Sequence, residues 1–215
     1  MTPSRPAHRA TPGRFLTRML AAVGALCMLL TAPVRAGDAP EVTVEGLHAA
    51  LLAAMRDADA LGFEGRRERL APVIESSFDL DFVTMVVMGR SWAELDAAQR
   101  DQMRRVFASL TVATYAARFD GFDGESFQTG ATEEARDGRR LVRSWLRKAD
   151  GTRVQLDYLL QSGGGPWRIV NVVADGVSDL SLKRAEYASI MKAEGFDALL
   201  ARLRAQVEDY ASGRD

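Results

Sequence analysis

The chain has 215 residues, with 28 Lys and Arg against 29 Asp and Glu, one Cys, two His and 47% hydrophobic residues. That length suits one domain with its own core. One Cys and two His exclude a disulfide framework and a usual zinc site, and a net charge of −1 gives no basic bias toward nucleic acid.

In chain order, the first feature is a basic start without acidic residues: Arg5, Arg9, Arg14 and Arg18. An apolar run from Met19 to Leu30 follows, and then Val34 and Ala36 stand at the −3 and −1 places before Gly37. This pattern predicts a secretory signal peptide over residues 1–36, cleaved after Ala36. The run is shorter than the roughly 20 residues that span a bilayer. Leu26 precedes Cys27 where lipoprotein processing wants a small residue. The signal holds five of the basic residues and none of the acidic ones, so the remaining 179 carry 23 against 29, a net charge of −6. They keep no Cys, and His48 is their one His. A Ser-His-Asp triad could use only His48, with no G-x-S-x-G motif to join it, so His48 is expected on a helix surface. No P-loop is present. The reading is a non-enzyme with no cofactor, no metal and no nucleic-acid partner.

Residues Val44 to Leu61 put Val44, Leu47, Leu51, Met55 and Ala58 on one helical face, ended by Gly62. Glu64 to Ser77 carries Leu70, Val73 and Ile74 at helical spacing, and Pro72 is expected to kink that stretch or begin a new helix. Asp79 and Asp81 read as caps of a short helix through Met88, closed by Gly89, rather than as a catalytic carboxylate pair. Asp96 with Gln99 is a capping box for a helix to about Phe119. Its apolar arc takes in Met103, Phe107 and Leu110 and, further round, Val112, Tyr115 and Phe119. So wide an arc is buried on more than one side.

From Glu125 the period changes to two. Strands are expected at Glu125–Ala135, Arg139–Lys148, Thr152–Gln161 and Trp167–Asp175, with turns at Asp137-Gly138, Asp150-Gly151 and Ser162 to Pro166. Val154, Leu156, Tyr158 and Leu160 face one way in the third strand, and Arg153, Gln155 and Asp157 the other. Gly163 to Gly165 is a hairpin turn and not a phosphate loop, because a strand follows it. Arg139, Arg140, Arg143 and Arg147 read as a solvated face or as a contact surface for an acidic partner or a lipid headgroup. Ser178 or Asp179 caps a helix bearing Leu180, Tyr187, Ile190 and Met191. Gly195 breaks it, and Phe196, Leu199, Leu200, Leu203, Val207 and Tyr210 stripe the last helix. Residues 37–215 are therefore expected to form a single α+β domain. It has an antiparallel sheet of four or slightly more strands, covered on one face by helices. Pattern alone leaves open whether the layers close as a solid core or enclose an apolar cavity.

The order of several segments resembles a known family. Phe78-Asp79-Leu80-Asp81-Phe82 precedes Met88-Gly89-Arg90-Ser91-Trp92, and Gln99-Arg100 leads through Phe107 and Leu110 to Tyr115. Later come Trp167-Arg168-Ile169-Val170-Asn171-Val172, Gly176-Val177-Ser178 and Gly195-Phe196-Asp197-Ala198-Leu199-Leu200. From about residue 44 to 207 the chain is similar to the MlaC-like proteins, also called toluene-tolerance or ABC-transporter auxiliary proteins. Asn171 stands where that family often has Asp, so a partner contact through that carboxylate does not carry over. The resemblance implies a periplasmic carrier with phospholipid acyl chains in an apolar cavity. Its partners would be an outer-membrane lipoprotein complex and an inner-membrane ABC transporter complex with an MCE-type protein. Asp179 to Tyr187 also resembles the hopanoid-associated branch, which makes a hopanoid an alternative cargo. Candidate lining residues are Phe82, Met85, Val86, Trp92, Phe107, Leu110, Val154, Leu156, Tyr158, Ile190 and Met191. Two other classes compete with the carrier. An enzyme on a curved sheet would need a carboxylate facing inward, and an envelope adaptor that binds no ligand would have a solid core.

Overall fold

The structure, a computed structural model, describes residues 1–2 and 39–214. Apart from its first two residues, the expected signal peptide lies outside these, as does its cleavage point. Helix α1, Pro40–Arg56, opens with proline in its first turn, where no N–H is needed. Its buried stripe is Val44, Leu47, Leu51 and Met55, with His48 alongside. The helix stops at Asp57, short of the expected Leu61, and α2, Ala58–Ser77, bends at Gly62 with φ 58°. Arg66 holds this corner: its buried guanidinium donates to Ala116 O at 2.9 Å and Ala58 O at 3.2 Å. Pro72 stands inside α2 without ending it. Pro72 and Glu68 are both exposed, so the carbonyl that loses its donor faces water.

Asp79 caps α3, Leu80–Met88, by accepting from Phe82 N at 3.0 Å, as expected of a cap. Its other carboxylate oxygen accepts from Gln161 Nε2 at 2.9 Å, tying α3 to the sheet. Gly89 closes α3 at φ 57°, and a short helix α4, Ser91–Glu94, was not expected. The Asp96–Gln99 capping box begins α5, Ala97–Arg118, with both hydrogen bonds made.

The strands are β1 Ser126–Glu134, β2 Arg140–Arg147, β3 Arg153–Gln161, β4 Arg168–Ala174 and β5 Val177–Ser178. They form one antiparallel sheet in the order β1-β2-β3-β4-β5, a meander with a short fifth strand. A bulge interrupts β1 between Thr129 and Thr132. Ser178 then caps α6, Asp179–Ala193, and Gly195 separates it from α7, Phe196–Ala211.

Register sets the two sheet faces. Val142 pairs with Tyr158, Ser144 with Leu156 and Leu146 with Val154, so these share one face with Phe127 and Val172. Helix α1 lies over that face against β1, β2 and β4. A first core cluster joins Leu47, Leu51, Leu70, Ile74 and Val112 to Val142, Tyr158, Leu160 and Ile169. A second is helical, with Val87, Met103, Phe107, Leu110, Tyr187, Leu199 and Leu203 drawn from α3, α5, α6 and α7. Leu80 packs against both.

The other face is wetter. Arg143 pairs with Glu133 at 3.1 Å and Arg153 lies over Trp145. Of the four arginines read as a solvated face or a contact surface, Arg143 and Arg147 share this face, Arg140 takes the other by strand alternation, and Arg139 precedes β2. Arg140 sits by Trp167 and Glu134, Arg139 lies over Phe82, and Arg147 is exposed.

Candidate functional site: an apolar wall between sheet and helix

The helix-covered face is packed at one end and open toward the other. Near the β1–β2 and β3–β4 turns, Val142, Tyr158, Leu160 and Ile169 are buried. There Thr43 Oγ1 donates to Trp167 O at 2.9 Å and pins the start of α1. Toward the β2–β3 hairpin the same face continues as Leu156, Val154 and Leu146, all apolar and only half-buried, with Val172 beside them. Apolar side chains on a covered face that still meet solvent mark incomplete packing, since interiors normally close to crystal density.

Helix α5 supplies an aromatic wall above this region. Tyr115 meets Phe78 edge-on at 5.7 Å and stacks on Phe119 at 5.8 Å. Phe119 lies 6.3 Å from Phe127, and Phe127 stacks on His48 at 4.0 Å. The helix settles its own polar groups: Thr111 and Thr114 hydroxyls donate to Phe107 O and Leu110 O, each at 2.8 Å. That back-bonding leaves them little polarity to offer a pocket.

His48 overturns the expectation of a surface residue. It is buried, and its Nε2 shares a hydrogen bond with Tyr158 Oη at 3.1 Å. Burial lowers its pKa to about 4, so the ring is neutral near pH 7. Its Nδ1 is sealed with no partner among the described residues. Burial also raises the phenols of Tyr158 and Tyr115 well above their usual range, and the negative charge of Asp179 adds to the effect on Tyr115. Tyr115 nevertheless keeps accessible surface. Shielding from bulk water without being packed over is the condition of a group on a pocket wall.

The candidate lining residues fall into three groups. Val154, Leu156 and Tyr158 stand in one column on the covered sheet face. Phe107, Leu110 and Ile190 are buried in the helical cluster, with Trp92 and Met191 at its edge. Trp92 is flanked by the guanidinium groups of Arg100 and Arg104 at 5.7 and 5.1 Å. On α3, Phe82 is half-buried under Arg139 at 5.4 Å, Val86 is half-buried and Met85 is 40% exposed. The structure does not gather the three groups into one cluster. Tyr115, Phe119, Phe127 and His48 were not among the candidates. The wide apolar arc of the long helix was the available signal for the first two, but no sequence signal marked His48.

Exposed apolar side chains also occur on adjoining elements: Met85 on α3, Val177 on β5 and Leu182 on α6. Asn171 Oδ1 accepts from Ser178 Oγ at 3.1 Å, and Ser178 Oγ accepts from Ser181 N. Asn171 thus braces the corner where β5 enters α6. Two open surface grooves, of about 310 and 260 Å³, lie elsewhere. Arg104, Arg105 and Arg168 line the first, and Arg105, Val106, Arg204 and Val207 the second. Among the described residues no group of three or more His, Cys, Asp and Glu could hold a metal, and no helix is long and apolar enough to cross a membrane.

Residues 45–205 match the family model described as MlaC protein. The intermembrane phospholipid transport system binding protein MlaC of Haemophilus influenzae is 23% identical over 130 residues. That alignment covers 59% of this chain and 61% of the relative, so the chain spans less than two thirds of that protein's length. A phospholipid-binding protein from Ralstonia solanacearum, solved in complex with a phospholipid, has the same fold with a TM-score of 0.71 at 22% identity. The superposition covers 81% of this chain and 99% of that one.

Proposed function

The chain belongs to the MlaC family, and from that premise we propose that it is a periplasmic phospholipid carrier. It holds acyl chains against the open end of the helix-covered sheet face and leaves the headgroup wet. The observation that carries this reading is the half-buried apolar column of Leu156, Val154 and Leu146 on the covered sheet face, where Phe127 pairs with Leu146 and lies 6.3 Å from Phe119 of α5. Each methylene kept from water is worth about 0.8 kcal/mol, so a lipid crossing an aqueous compartment needs such a wall along its tails. Tyr158 forms the packed floor. Phe107, Leu110, Ile190, Trp92 and Met191 hold α5 in place behind the wall. Met85, with Phe82 and Val86 on the same helix, adds apolar surface on α3.

Transfer of this kind makes and breaks no covalent bond; the protein is not an enzyme. The N-terminal signal pattern supports export. A net charge of −6 after its removal disfavours adsorption to anionic membranes, so docking to proteins directs the traffic. The partners are an outer-membrane lipoprotein complex and an inner-membrane ABC transporter complex with an MCE-type protein.

Native mass spectrometry of protein purified from the periplasm tests this directly. One diacyl phospholipid mass per chain is expected, released on collisional activation. A hopanoid mass instead would change the cargo and keep the carrier. Protein that is recovered empty and takes up no phospholipid from vesicles would overturn the carrier and favour an adaptor.

A further inference from the structure

We propose that the Tyr115 hydroxyl reads the cargo's linkage chemistry, donating a hydrogen bond to an ester carbonyl of a diacyl lipid; this rests on the carrier reading above. The ring of Tyr115 is held between Phe78 and Phe119, so its direction is set by packing. Its hydroxyl has no hydrogen-bond partner among the described residues, whereas the neighbouring phenol of Tyr158 has His48 Nε2. Nor is that oxygen sealed in the core. Tyr187 Oη is buried without a partner, but Tyr115 Oη does not share that condition and belongs to a residue with accessible surface.

Phenylalanine would fill the same aromatic slot. A lipid laid against this face displaces the water open to the hydroxyl, and an acceptor on the lipid replaces the bond that the water made. The position fits an ester. Along α5 and just past its end, the half-buried Tyr115 stands between the buried Val112, Ala113 and Ala116 and the exposed Arg118 and Asp120. It therefore stands at the boundary between the wet rim and the apolar floor. In a diacyl lipid the ester carbonyls occupy that same boundary, between headgroup and chains. A protonated phenol is a donor there, and burial keeps it protonated. An ether-linked lipid of the same headgroup and chain length has no carbonyl to accept the bond.

The test compares uptake of a dipalmitoyl phosphatidylglycerol and its dialkyl ether analogue from mixed vesicles, read by native mass spectrometry. The protein as it stands is expected to favour the ester lipid about five- to tenfold, the range of one net hydrogen bond. Tyr115→Phe is expected to bind both equally, near the level of the ether lipid. Tyr158→Phe, which alters the floor and not the boundary, should keep the preference. Equal uptake of both lipids by the unaltered protein, or an undiminished ester preference in Tyr115→Phe, overturns the assignment. If the unaltered protein takes up neither lipid, the carrier reading itself fails.

Discussion

His48 is the residue whose surroundings most directly govern the protein's response to pH. Its pKa falls to about 4 because the charged ring would be buried against Phe127 and Tyr158. The unfolded chain, with a His pKa near 6.5, binds the proton first as pH drops, so folding loses stability on acidification. The loss begins near pH 6.5 and is complete below about pH 4. Between pH 7.5 and 5 it amounts to about 2 kcal/mol, visible as a lower urea midpoint. His48→Phe should remove this pH dependence, at a cost of about 1–3 kcal/mol near neutral pH for the stranded Tyr158 hydroxyl. An unchanged slope in that variant would assign the effect to other groups. The helical stripe around Val44, Leu47 and Leu51 was legible from spacing alone, but the burial of His48 was not. Its place depends on a ring stack and a hydrogen bond to residues 79 and 110 positions away, which local sequence cannot encode.

At the scale of elements, the β1–β2 pair shows how one small residue shapes a strand. Gly130 lies in the β1 bulge, and a Cβ added there would come within 2.5 Å of Trp145 Cζ3 and 2.9 Å of Cη2. The indole is itself held by the Arg153 guanidinium at 5.2 Å. Gly130→Ala is therefore expected to destabilise by about 1–3 kcal/mol, measured as a shifted urea midpoint with unchanged slope. In a Trp145→Leu background the penalty should shrink, because the clash has lost its partner. The four long strands, their turns and the caps at Asp79, Asp96 and Ser178 were legible, since each follows from alternation or a side-chain bond three residues long, whereas the two-residue β5 was not. Nor was the bulge. It answers to an aromatic ring on the neighbouring strand rather than to anything within β1. Likewise the bend of α2 at Gly62 is tied by Arg66, which donates to the carbonyls of Ala58 in α2 and Ala116 in α5.

For the whole molecule, the sheet-based core and the helical core are joined along α5 and at Leu80, and the open column lies beside the first of them. If the proposed carrier site is right, a lipid in that column binds only the folded protein and so stabilises it. Delipidated protein should melt roughly 5–10 °C lower than the loaded form, for a ligand present at about a hundred times its Kd. Differential scanning calorimetry before and after extraction checks this, and equal melting temperatures would place the lipid outside the fold. Both cores were readable as sets of apolar positions. The two sides of the long helix were readable too, Phe107 and Leu110 on one and Val112, Tyr115 and Phe119 on the other, but which elements would pack against each was not.

The sequence by itself determined the α+β order, the antiparallel meander, the caps and the family to which the chain belongs. These rest on period, turn chemistry and motif order, which are properties of neighbouring residues. Only the tertiary structure decided which apolar side chains are packed and which remain open, that His48 is buried and neutral, and that the half-buried Tyr115 has a hydroxyl with no partner among the described residues. Hydrophobicity drives side chains inward without specifying how completely they fill the space, and packing is settled only when helices and sheet meet.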